Sequence, residues 1–71
     1  DDANAQFLVG GLYRDGAGVM VDPVAAYFWW ALAAHKGHDK AERLLAGLVT
    51  EMRPDQVAEA RRLRRDWQPI N

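Results

Sequence analysis

Apolar and polar positions follow one another along this chain with the period of a helix, and nowhere with the two-residue period of a strand. In the first segment, about Ala3 to Arg14, Ala5, Leu8, Val9, Leu12 and Tyr13 fall at i, i+3, i+4, i+7 and i+8 and define one apolar face. Asp1 and Asp2 precede it, where acidic side chains suit the positive end of a helix. Gly10 and Gly11 lie inside it, each costing about 1 kcal/mol relative to Ala, a cost that makes sense where a second helix approaches closely. Asp15-Gly16-Ala17-Gly18 reads as a turn, and Val19-Met20-Val21 as a short apolar stretch tucked beneath it.

Asp22-Pro23 opens a second helix, with Asp as the cap and Pro at the first helical position. It should run to about Lys36 and bury Ala26, Trp29, Trp30, Ala33 and, at the margin, Ala34, with Gly37 just past its end. Trp29 and Trp30 are adjacent, so one of them must lie off the centre of that face and stay partly exposed. Asp39, with Glu42 three positions on, predicts the cap of a third helix. There Ala41, Leu44, Leu45, Leu48 and Val49 form the same stripe as the first helix, ending near Thr50. Pro54 begins a fourth helix, whose buried side is Val57, Ala60, Leu63 and Trp67, and Pro69 stops further helix. The fold class predicted is all-α: four helices in alternating antiparallel hairpins.

The first and third stripes repeat. A-Q-F-L-V-G-G-L-Y at 5–13 aligns with A-E-R-L-L-A-G-L-V at 41–49, an offset of 36 residues that matches Ala5 to Ala41, Leu8 to Leu44, Gly11 to Gly47 and Leu12 to Leu48. Stacking of such hairpins predicts like surroundings for Leu12 and Leu48. Residues 5–38 carry Ala5, Gly10, Tyr13, Gly16, Gly18, Val19, Asp22, Ala26, Trp29, Ala33, Ala34 and Gly37 at the spacing of a Sel-one-like repeat, a relative of the tetratricopeptide repeat, with Val9 in place of the usual Leu. Residues 39–67 resemble the closing segment of such proteins, with Pro54, Gln56, Ala60 and Trp67, but lack the Y-x-x-G-x-G loop. The resemblance therefore implies one domain of an α-solenoid: a complete repeat over 1–38 and a degenerate terminal repeat with a capping helix over 39–71.

Composition narrows the function. The chain is 71 residues long with 49% hydrophobic and 27% charged residues, a globular balance in a chain short enough to be marginal alone. Net charge is −1, which gives no basic footprint for nucleic acid. The longest apolar run, Pro23 to Ala34, is too short for membrane insertion, which takes about 20 residues. No signal-peptide pattern is visible, and cytoplasm and bacterial envelope both fit; seven Arg against two Lys, with abundant Ala, point to a bacterial source.

Candidate chemistry is sparse. There is no Cys and no Ser, and neither His stands beside a nucleophile, so an enzyme is not expected. Gly16-Ala17-Gly18 lacks the strand and third glycine of a phosphate loop. Gly37 separates His35 from His38, so with Asp39 they do not share a helical face for a metal, and no cofactor is expected. The arginines at 61, 62, 64 and 65 read as a solvated face with pairs such as Glu59 to Arg62. The function the resemblance implies is a protein–protein interaction scaffold, binding a peptide or partner through a concave wall of first helices. It places groove-facing positions at Asn4, Phe7, Gly11 and Arg14 and, 36 residues on, at Lys40, Arg43, Gly47 and Thr50. Glycines 11 and 47 would admit a ligand backbone closely, and Arg14, Lys40 and Arg43 would favour an acidic ligand. Two alternatives stand beside it. The chain would be only the structural C-terminal cap of a longer array, or a homo-oligomerisation module using apolar surface such as Phe7 and Leu8 on the first helix.

Overall fold

The computed structural model describes residues 2–67, and all regular structure among them is helical: α1 (Ala3–Asp15), α2 (Pro23–His35), α3 (Asp39–Glu51) and α4 (Pro54–Asp66). Pro69 lies outside the described residues. The boundaries follow from the caps. The Asp2 carboxylate accepts from Asn4 N at 2.9 Å, and that of Asp22 accepts from Ala25 N at 3.1 Å. Gly37 takes φ +92, with its N–H on the Ala34 carbonyl and the His38 N–H on the Ala33 carbonyl, the paired bonds that close a helix on a left-handed residue. That closure puts His38, not Asp39, at the cap of α3: His38 Nδ1 accepts from Ala41 N at 3.1 Å, and Asp39 becomes the first helical residue. At α4, Gln56 Oε1 accepts from Arg53 N at 2.9 Å, while the Arg53 side chain, which has no acceptor to return the bond, turns to Asp55.

α2 is the hub. Its sequence is apolar all round, which suits a helix covered from several sides, and it is the helix that α1, α3 and α4 each approach closely. The core joins Ala26 and Trp30 of α2 to Leu48, Met52 and Ala60, with Phe7, Tyr13 and Val57 packed against it. Tyr13 meets Asp22 (Asp22 N–H to the Tyr13 carbonyl, 2.9 Å) and Phe7 meets Trp30, so α1 and α2 run antiparallel. Phe7 also meets His38, and Arg14 meets Glu51, so α1 and α3 run in the same direction. α3 and α4 make at most slight backbone contact; α4 lies on α2 instead, so the second pair is not the close hairpin expected.

Several expectations of burial are corrected, Leu44 of the α3 stripe among them, since it is exposed. Ala5, Leu8 and Leu12 are exposed, and of the expected stripe Tyr13 packs on the core while Phe7 and Gly10 replace the others in meeting α2. Leu12 is 44% exposed and its counterpart Leu48 4%, because α2 covers that side of α3 and no described helix covers it on α1. The 36-residue offset thus relates helices of like sequence and unlike surroundings. The Val19–Val21 stretch is not tucked in: Met20 is 88% exposed. Leu63 and Trp67 stand at the surface, where they edge a groove described below, leaving Ala60 fully buried on α4.

Candidate functional site

Adjacent glycines on α1 have opposite surroundings. A Cβ on Gly10 would fall inside the van der Waals envelope of Trp30 Cδ1 and Nε1, whereas one on Gly11 would meet nothing within 4 Å. The bare backbone at Gly10 lets the Trp30 indole lie directly on α1, where its Nε1 donates to the Phe7 carbonyl at 2.9 Å. That bond satisfies the indole N–H of a side chain only 3% exposed. Phe7 is in turn stacked between Trp30 (centroids 5.9 Å, 21°) and His38 (4.6 Å, 19°).

Above this stack lies an open groove of about 500 Å³ between α1 and α3. Trp30, Phe7, Leu44 and Leu48 supply its apolar lining, Gly11 and Gly47 contribute bare backbone, and Arg14, Asp15, Lys40 and Glu51 bring charge. Gly47, like Gly11, has nothing within 4 Å of the place a Cβ would occupy. Arg14 Nη2 spans from α1 to α3 and donates to both Glu51 oxygens, at 3.0 and 3.3 Å, while Nη1 reaches Asp15 at 3.4 Å. The Lys40 ammonium stands 5.8 Å from the centroid of Phe7, a cation–π distance.

Of the eight positions expected to line a wall, the structure brings Phe7, Gly11, Arg14, Lys40 and Gly47 to this groove. Asn4, Arg43 and Thr50 are exposed outside its lining; the Thr50 hydroxyl donates back to the Gly47 carbonyl at 2.7 Å. The cationic set expected there is changed as well. Arg14 is already paired with two carboxylates and Arg43 is elsewhere, which leaves the ammonium of Lys40 as the cation without a carboxylate partner among the described lining residues. Sequence reasoning missed Trp30 as a lining residue, and Asp15 and Glu51 with it. The acidic pair had a signal, since Asp15 and Glu51 stand 36 residues apart, two positions beyond the aligned repeat.

The other candidates fall to structural roles. His38 caps α3 and stacks on Phe7. Among the described residues no group of three or more His, Cys, Asp or Glu is placed to hold a metal ion, and no helix is long and apolar enough to cross a membrane. On α4, Arg62 donates to Glu59 at 2.7 Å, the pair expected, and that hydrogen bond raises the guanidinium pKa. No family model, curated protein or solved structure matches the chain.

Proposed function

We propose that the groove between α1 and α3 holds a segment of a partner protein, and that the chain is an interaction module rather than an enzyme. The observation that carries this reading is the pair of open glycines. An interior helical glycine costs about 1 kcal/mol, and neither Gly11 nor Gly47 has a packing neighbour that would require the missing Cβ. A ligand backbone lying against that bare surface supplies the reason. The aromatic lining of Phe7 and Trp30 offers apolar contact, and Lys40 offers one cation, so the segment is chiefly apolar with an acidic residue at the Lys40 end. The resemblance to a Sel-one-like repeat and the shared direction of α1 and α3 support the use of these two helices as the walls of the groove.

The test is a selection of peptides from a displayed random library on the intact protein, followed by competition with Gly47→Leu. That side chain would enter the groove from a position where a Cβ meets nothing within 4 Å. The selected peptides should lose at least about tenfold in affinity for the variant, while the variant keeps the wild-type circular dichroism. Peptides that bind both proteins equally place the binding surface elsewhere.

Self-association is the second reading, favoured by the exposed Leu8 and Leu12 on α1. Light scattering behind size exclusion decides it: a dimer at micromolar concentration that Leu8→Lys and Leu12→Lys dissolve supports it, and a monomer rejects it.

A further inference from the structure

The two adjacent tryptophans of α2 serve different faces. Trp30 lines the groove between α1 and α3, whereas Trp29 lines a second one, of about 490 Å³, between α2 and α4. In this second groove Phe28 meets Trp29 edge-to-face (5.7 Å, 88°) and Trp67 likewise (5.9 Å, 88°), so both indoles stand perpendicular to one phenyl ring. The charged side chains lining it are Asp22 and Asp66. Asp22 has one oxygen committed to the Ala25 N–H and makes no ion pair among the described residues. Asp66 is approached by Arg65 Nε at 3.4 Å and Arg62 Nη1 at 4.0 Å.

We propose that this groove takes the side chain of a lysine presented by a partner protein. Ring faces attract a cation, and carboxylates at the rim reinforce that preference. A purely apolar guest would cover the Asp22 carboxylate without compensating it, and an anionic guest would be repelled by that carboxylate. A lysine meets both demands: its methylene stem lies along Phe28 and the indoles, and its ammonium sits at the free oxygen of Asp22. The site is separate from the groove proposed above and stands on different residues.

The test is a titration of the intact protein with N-acetyl-lysine methylamide, its trimethylated form, the neutral norleucine analogue and phosphocholine vesicles, read from the indole N–H resonances of Trp29 and Trp67. Both lysine probes should shift those resonances saturably at millimolar concentration and bind about threefold to fivefold more tightly than norleucine. Asp22→Asn, which retains a capping side chain, should weaken the lysine probes by about threefold and leave norleucine unchanged; Asp66→Asn should act in the same direction. Equal binding of lysine and norleucine, indifference to both substitutions, or binding of the vesicles without the lysine probes would overturn the proposal.

Discussion

Replacing Gly10 by Ala tests the close approach of the Trp30 indole to α1. The new Cβ would overlap Trp30 Cδ1 and Nε1, and Trp30 is only 3% exposed, so the indole cannot swing into solvent without opening the core. Overpacking of this kind costs about 1–3 kcal/mol. A displaced indole also loses its bond to the Phe7 carbonyl, worth about 1 kcal/mol. Against these stands the gain in helix propensity, about 1 kcal/mol. The balance is a loss of about 2 kcal/mol, or on the order of 10 °C in Tm for a domain of this size. Gly11→Ala, one residue on, meets open space and keeps only the propensity term, so it should stabilise by about 1 kcal/mol. Urea titrations followed by far-ultraviolet circular dichroism measure both, with tryptophan fluorescence reporting the indole. Neighbouring glycines that respond with the same sign would refute the packing of α1 on Trp30.

Gly37→Val places a β-branched residue at φ +92 and should cost more than about 1 kcal/mol in the same titrations; a neutral result would mean α2 does not close there. A double-mutant cycle on Arg14 and Glu51, whose side chains are 42% and 59% exposed, should give a coupling of only about 0.2–1 kcal/mol that falls with added salt. The hydrogen bond from Arg53 holds the Asp55 carboxyl below its ordinary pKa of 3.8. The stabilisation from that pair is therefore complete above 3.8 and is lost as pH falls through the lower folded value. Arg53→Gln should bring the native carboxyl titration, followed by carbon NMR, back up towards 3.8; an unmoved midpoint would show that Arg53 is not the cause.

The helices were legible because their ends carry unambiguous chemistry. Pro23 and Pro54 begin α2 and α4, and Gly37 ends α2, each within about a residue of the observed boundary. What periodicity could not decide was which of two faces of α1 turns inward. Ala5, Leu8 and Leu12 make the more regular stripe, but burial needs a neighbour on that side, and α2 lies against Phe7, Gly10 and Tyr13. The same limit hid the cap of α3, where His38 and Asp39 both carry acceptors and the left-handed turn at Gly37 selects His38. The groove was half legible. The resemblance to a repeat family brought out Phe7, Gly11 and Arg14, and the 36-residue offset carried it on to Lys40 and Gly47. Trp30 stayed hidden because its place there depends on an approach across Gly10 that no spacing within one helix reveals.

The central claim, that the Trp30 side of α2 forms the floor of a binding groove, has a direct spectroscopic reporter. The chain has three tryptophans, Trp29, Trp30 and Trp67, and so three indole N–H signals. Titration with a peptide selected on the intact protein should move the Trp30 signal and leave those of Trp29 and Trp67 in place. Movement of Trp29 or Trp67 with Trp30 unchanged would contradict the account.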